Sequence, residues 1–183
     1  MDFYNARRQN LLTVEPNHAH KVLAKLEKEY IVSIITQNVD DLHERAGSTN
    51  VLHLHGELRK VTESNNPNNR KCIVEKPLDE PILIGEKAAD WSQMRPHIVF
   101  FGEGVPNRVQ AKRIVEEADV FVFIGTSLVV YPAANLKKYT PRNIPRFIID
   151  PADFNMGELN GYEHIKTTVV AGIDILTEKL KEF

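Results

Sequence analysis

Two stretches of the chain are apolar without interruption: Ile-Val-Ser-Ile-Ile-Thr over 31–36 and Val-Phe-Val-Phe-Ile over 120–124. Runs this rich in β-branched and aromatic residues predict strands covered on both faces. Shorter apolar segments predict further strands at 51–54, 97–101, 146–149 and 165–169. Between them the spacing turns helical. Ala19, Val22, Leu23, Leu26 and Tyr30 keep one face of a helix opened by Pro16-Asn17, and Val109, Ile114, Val115 and Ala118 form the inward face of a helix over 107–118. Helices are also predicted over 3–12, 40–46 (with Gly47 as its stop), 132–138 and 172–180. Residues 60–95 break the rhythm with clusters of Asn, Pro and Lys, and predict a small excursion carrying a pair of short strands. Apolar strands alternating with helices imply a parallel α/β sheet, in which ligands bind beyond the carboxyl ends of the strands.

The polar residues that stand directly after the apolar runs are therefore the candidates for chemistry. They are Gln37-Asn38, His55-Gly56, Gly125-Thr126-Ser127 and Asp150. Each also has a plain structural reading. Asn38 or Asp40 could cap the following helix. His55 could be a satisfied structural histidine, although an imidazole is the usual proton carrier near neutral pH and Gly56 permits close approach of another group. Gly102-x-Gly104 is a weak phosphate-loop signal, since no third glycine follows at the required spacing. Asp150 before Pro151 could simply open a turn. The placement as a whole points to a small-molecule crevice suited to a nucleotide, without naming a reaction.

Composition narrows the class. With 183 residues, 42% hydrophobic and 26% charged, the chain is long enough for a sizeable core and typical of globular proteins. A formal net charge of -2 gives no electrostatic footprint for nucleic acid. No run approaches the ~18 apolar residues of a membrane span, and residues 1–10 lack the apolar core of a signal peptide. The single cysteine, Cys72, allows no intrachain disulfide. The expectation is a soluble, cytoplasmic protein.

Four segments taken in order carry a resemblance. They are Gln37-Asn38-Val39-Asp40, then His55-Gly56, then Phe101-Gly102-Glu103-Gly104-Val105-Pro106, then Gly125-Thr126-Ser127-Leu128-Val129-Val130-Tyr131-Pro132. Together they resemble the sirtuins, the NAD-dependent protein-lysine deacylases, over nearly the whole chain. Phe3-Tyr4-Asn5-Ala6-Arg7-Arg8 and Glu44-Arg45-Ala46-Gly47-Ser48 further resemble the bacterial branch that removes succinyl and other acidic acyl groups besides acetyl.

The resemblance implies a Rossmann-like α/β fold and transfer of an acyl group from lysine to ADP-ribose with release of nicotinamide. It makes His55 the general base, a role that requires an imidazole neutral near pH 7. It makes Asn38 the residue that positions the ribose and water, Gln37 a partner of the ribose hydroxyls and Asp40 an acceptor from the nicotinamide carboxamide. Gly125, Thr126, Ser127 and Asp150 would contact the phosphates and the adenosine side. Val99, Phe101, Gly102, Glu103 and Val130 would form the acyl-lysine tunnel, with the substrate peptide adding as a strand. Tyr4 and Arg7 share a helix face and would bind a distal carboxylate on the acyl group.

Three departures from the family pattern shape the remaining expectations. The family's Gly-Ala-Gly-x-Ser segment is absent, so the 183-residue chain is expected to be incomplete at the N-terminus and to bind NAD weakly, with impaired turnover. Residues 59–95 hold only Cys72 where the family usually has two Cys-x-x-Cys pairs, so no zinc is expected. Asp150 replaces a usual Asn, which favours NAD over NADP. The expected organisation is a first Rossmann-like part at 1–58 (with 1–13 the remnant of a helical module), a small zinc-less subdomain at 59–95 and a second Rossmann-like part at 96–183. The alternative function is a catalytically silent nucleotide- or peptide-binding scaffold. The partners expected are acyl-lysine proteins or peptides, with no nucleic acid and no membrane.

Overall fold

The computed structural model describes residues 1–126, 133–155, 157 and 159–183. In chain order the elements are α1 (Asp2–Leu11), α2 (His18–Leu26), β1 (Ile34–Thr36), α3 (Leu42–Ala46), β2 (Val51–His53), β3 (Gly56–Glu63), β4 (Val74–Glu75), β5 (Met94–Ile98), α4 (Arg108–Glu116), β6 (Phe121–Ile124), α5 (Ala133–Leu136), β7 (Arg146–Ile149), β8 (Glu163–Ile165) and α6 (Val169–Leu180). They fall into two compact units, one of Met1–Pro16 with Ile34–Asn107, the other of Asn17–Ser33 with Arg108–Phe183. The architecture is α/β, as the apolar pattern predicts.

In the second unit β6, β7 and β8 form a parallel sheet in that order. Period-two alternation sends β7 to both faces. Phe147 and Ile149 meet Ile165 of β8, Ala19 and Leu26 of α2, and Ile173, Leu176 and Leu180 of α6. Ile148 turns the other way, toward Phe123 and Leu159. Gly172 lets α6 lie directly on the sheet, because a Cβ there would sit 2.3 Å from Ile149 Cγ2. Asn17 caps α2, accepting from the His20 amide at 3.2 Å.

The first unit holds two sheets. β1 and β2 are parallel, with Thr36 opposite His53. β3 lies between β4 and β5, antiparallel to both. The sequence predicts a mostly irregular excursion here and puts 97–101 in the parallel sheet. The strand instead spans Met94–Ile98 and runs antiparallel to β3. Its partner was obscured because the register shifts between Glu57 and Val61, so no single alternation runs through β3. Pro96, which has no N–H to donate, pairs with Val61 at that irregularity. Trp91, the one tryptophan, takes a φ of 65° just before β5 and is 80% exposed.

Other boundaries also differ from expectation. Ile31 is 98% exposed, and β1 begins only at Ile34, where Val51 pairs with it. Val109, expected inward, is 58% exposed, while α4 buries Ala111 and Val115 one turn apart. The last strand ends at Ile165, because the Thr168 hydroxyl accepts from the Ala171 amide and starts α6 at Val169. The expected boundaries at 58/59 and 95/96 fall inside β3 and β5, and residues 59–95 belong to the first unit.

Candidate active site

The parallel pairing of β1 and β2 brings their carboxyl ends side by side. Beyond β1 the Thr36 hydroxyl accepts from the Asn38 amide at 3.0 Å, turning Gln37-Asn38 across the strand ends. Asp40 then accepts from the Leu42 amide at 3.1 Å, while the N-cap of α3 is the next residue, Asp41, rather than Asn38 or Asp40. His53, the last residue of β2, and His55 just beyond it point their Nδ1 atoms at successive carbonyls of that turn. His55 Nδ1 lies 3.2 Å from the Gln37 oxygen, and His53 Nδ1 lies 3.2 Å from the Asn38 oxygen. A carbonyl only accepts, so each Nδ1 carries the hydrogen. In a neutral His55 ring that leaves the lone pair on Nε2, the nitrogen a general base would use. His55 and Asn38 are thus neighbours on one edge of the first unit. The Gln37 side-chain nitrogen is buried and has no hydrogen-bond partner among the described residues.

Gly56 makes this placement possible. Its φ is +81°, and a Cβ would lie 1.9 Å from the His97 carbonyl oxygen. No side chain fits between β3 and β5 at that point. The His55 carbonyl accepts from the Val99 amide at 2.9 Å, tying the histidine to the segment that follows β5.

That segment is shaped by an ion pair between buried Arg95 and half-buried Glu103. Arg95 grips Glu103 with both guanidinium nitrogens at 2.6 and 3.0 Å, donates to the Ile98 carbonyl at 2.8 Å and lies 3.6 Å over the Phe100 ring. Glu103 also accepts from the Phe100 amide at 2.8 Å, and the Arg95 bonds hold its carboxyl below the usual range. The turn is closed by Gly102 at a φ of +88°, and Phe101 is left fully exposed. Glu103 is therefore bonded to Arg95 and to the backbone of its own turn.

Tyr4 and Arg7 sit on α1. Tyr4 stacks on Phe100 with ring centroids 5.3 Å apart, and burial pushes its hydroxyl up from the ordinary value. Arg7 lies 5.3 Å over the Phe3 ring, and Phe3 meets Tyr4 edge to face. The next residue, Arg8, was not singled out from the sequence. It is fully buried and donates to the carbonyls of Leu58, Pro77, Lys76 and Glu80. The available signal was its spacing, since Tyr4, Arg8 and Leu11 occupy one helical face.

In the second unit Gly125 and Asp150 end adjacent strands. The Gly125 amide donates to the Ile149 carbonyl at 2.9 Å, and Gly125 takes a φ of +57°. A Cβ there would come 3.1 Å from Val169 at the first turn of α6. Thr126 follows. Asp150 accepts from the Ala152 amide at 2.8 Å, so its turn-opening role is realised, while its main-chain oxygen lies 2.9 Å from His164 Nε2. Ser127 and Val130 lie outside the described residues.

Around His53 the first unit gathers charge. Nε2 of this buried ring is 2.8 Å from Glu44. Burial alone depresses the imidazole, but the Glu44 bond, the charges of Glu57 and Glu44 and the Asn38 carbonyl together hold it above its ordinary value. Glu44, Glu57 and His53 bring donor atoms within 4.8 Å of one another, yet Glu57 is already paired with Lys60 at 2.6 Å. A cavity of about 130 Å³ alongside is lined by His53, Glu57, His97 and Asn107, among others. Burial lowers the His97 imidazole, disfavouring its charged form. Cys72, the one thiol, is pushed up by its bond to Glu63.

The Sir2 family model matches residues 1–132. The chain is a member of the Sir2 family. An NAD-dependent protein deacylase of Bacteroides thetaiotaomicron is 49% identical over 181 residues, which cover 98% of this chain and 77% of that protein. A protein of the same description from Helicobacter pylori is 46% identical over 182 residues, 100% of this chain and 77% of its own length. Among solved structures, a Sir2 homolog–NAD complex superposes with a TM-score of 0.84 at 35% identity, over 99% of this chain and 71% of that one. A Sir2–p53 peptide–NAD+ complex gives 0.74 at 31% identity, over 95% and 74%. The Sir2 chain described here thus spans about three-quarters of the length of these relatives.

Proposed function

We propose that this Sir2-family chain is an NAD-dependent protein-lysine deacylase, with His55 as general base. One observation carries the reading: His55 is fixed through Nδ1 to the Gln37 carbonyl, one residue from Asn38, at the joint ends of two parallel strands. The residues present suit a dinucleotide. The buried, unpartnered amide nitrogen of Gln37 is a donor for a ribose hydroxyl, and Gly125 leaves backbone bare beside the first turn of α6. The sequences and complexes of the relatives support the same cofactor and a peptide substrate.

When bound, NAD supplies a ribose whose bond to nicotinamide breaks and which accepts the acyl group. His55 takes a proton from a ribose hydroxyl at Nε2, while its Nδ1–H anchor prevents the ring from turning. Asn38 orients the ribose and the water, and Gln37 holds the hydroxyls. Gly125, Thr126, Ser127 and Asp150 serve the phosphates and the adenosine side. Exposed Phe101, presented by the Gly102 turn, is the apolar wall for the acyl-lysine, with Val99 in the same segment; Val130 is assigned to the same role by the family resemblance alone. Glu103 acts by shaping that turn. For acidic acyl groups, Tyr4 and Arg7 are the proposed carboxylate partners. Support comes from the stacking of Tyr4 on Phe100, next to Phe101.

The test is nicotinamide release dependent on an acyl-lysine peptide, with acetyl- and succinyl-lysine compared. His55→Ala is expected to lower kcat by roughly 10²–10⁴-fold, the usual contribution of a general base. Retention of turnover by that variant overturns the assignment. Arg7→Ala is expected to weaken succinyl-lysine turnover selectively.

A further inference from the structure

His53, two residues before the proposed base, has no role in the reaction just described, yet it is among the most enclosed polar groups of the first unit. Both ring nitrogens face acceptors: Nδ1 the Asn38 carbonyl at 3.2 Å, Nε2 the Glu44 carboxylate at 2.8 Å. A neutral imidazole has one N–H and satisfies only one of them; the imidazolium satisfies both. Its neighbours favour that form. Glu44 faces it from α3, and Glu57 from β3, itself paired with Lys60. His97 of β5, opposite Glu57, adds no charge while neutral, and the Asn107 side chain holds the His53 backbone by donating to its carbonyl at 2.7 Å. Two carboxylates and an imidazole come within metal-ligand reach of one another, but Glu57 is already paired with Lys60 at 2.6 Å and Glu44 with His53 Nε2 at 2.8 Å.

We infer that His53, charged and clamped between Glu44 and the Asn38 carbonyl, is a positioning residue that holds the Gln37-Asn38 turn in register with His55. The inference rests on the deacylase reading. The two histidines divide the work: each grips one carbonyl of the turn, but only His55 has a ring nitrogen left for chemistry. When His53 loses its proton, the remaining N–H stays with the carboxylate, where a charge-assisted bond is stronger. The Asn38 carbonyl then loses its partner and the turn loosens.

Two variants test this. Imidazole nitrogen NMR of the wild-type chain is expected to show His53 protonated on both nitrogens at neutral pH, with its midpoint above the ordinary ~6.5, and the Asn38 and Val39 amide signals are expected to move as the pH rises through that midpoint, with kcat falling over the same range. In Glu44→Gln, at a side chain 38% exposed, the midpoint falls, but the glutamine amide donates to a neutral Nε2 and leaves Nδ1–H on the Asn38 carbonyl, so the amide shifts and the high-pH loss of kcat disappear. His53→Phe, which removes both ring nitrogens, is expected to lower kcat roughly tenfold to a hundredfold at neutral pH, the scale of a misplacement of about 1 Å, with little change in KM for the peptide. Asn38 and Val39 signals that ignore the His53 titration, or a folded His53→Phe enzyme with unchanged kcat, overturn the inference. A wild-type protein with no peptide-dependent nicotinamide release instead removes the deacylase reading, and the NMR titration still decides whether His53 is the charged clamp.

Discussion

The two units of this chain are held together by different means. Of the nine buried polar or charged residues among those described, eight (Arg8, Thr36, Asp41, Ser48, His53, Thr62, Glu63 and Arg95) lie in the first unit, and only Thr140 lies in the second. The second unit instead has an apolar layer on each face of its parallel sheet. In the first unit, among the described residues, one apolar cluster has three buried members, Leu11, Leu58 and Ile98, and Leu54, Val61 and Ile82 are buried outside it. Buried polar groups are directional and costly when unpaired, whereas apolar burial is non-directional and grows with area. The unit carrying the proposed base is thus specified by hydrogen-bond geometry, and the other by volume.

The sharpest way to break this contrast is at Gly56. Gly56→Ala forces a Cβ onto the His97 carbonyl at a positive φ, with expected destabilisation of roughly 4 kcal/mol or more, confined to the first unit. Chemical denaturation with site-resolved hydrogen exchange measures it, and a stable Gly56→Ala protein would contradict the geometry. Next come paired substitutions of similar size by unlike mechanisms. Ile173→Ala opens a cavity in the second unit and is expected to cost about 2–5 kcal/mol. Arg8→Met nearly preserves volume but strips a donor from four carbonyls, and is expected to cost about 3 kcal/mol. If Arg8→Met proves neutral, the polar account of the first unit fails.

The smallest expected effect is on pH dependence. The raised His53 pKa stabilises the fold fully below the unfolded imidazole value, and this is lost as pH rises through the higher folded value. The depressed Glu103 stabilises above the unfolded carboxyl value, and this is lost as pH falls through the lower folded one. The second unit's shifted acid and amines, Asp153, Lys179 and Lys181, are at the surface and contribute little. Above about pH 7, beyond the range in which the lowered His97 contributes with the opposite sign, exchange protection corrected for intrinsic rates and followed to about pH 9 is expected to weaken more in the first unit than in the second. Equal weakening would remove the distinction.

The same contrast explains what the sequence makes legible. Val120 to Ile124 and Arg146 to Ile149 announce their strands because both faces of that sheet are apolar, and the Gln37-Asn38 and His55-Gly56 pairs stand out because each follows a strand. β3 was hidden because Glu57, Arg59, Lys60, Thr62 and Glu63 read as polar surface, and its register slips partway along. Arg8, Arg95 and His53 look like solvent-facing charges until their partners, 8 to more than 60 residues away, are in place. Periodicity records burial of apolar atoms and is blind to a guanidinium whose burial depends on carbonyls from another part of the chain.

Trp91 has a practical consequence. With its indole already in water, its emission begins red-shifted and has little further to move when the chain unfolds, so intrinsic fluorescence is nearly silent to global denaturation. The same ring sits alone beside the start of β5, and anything that docks there will quench or blue-shift a signal with no competing chromophore of its kind. The protein thus comes with a built-in optical label for one corner of its surface.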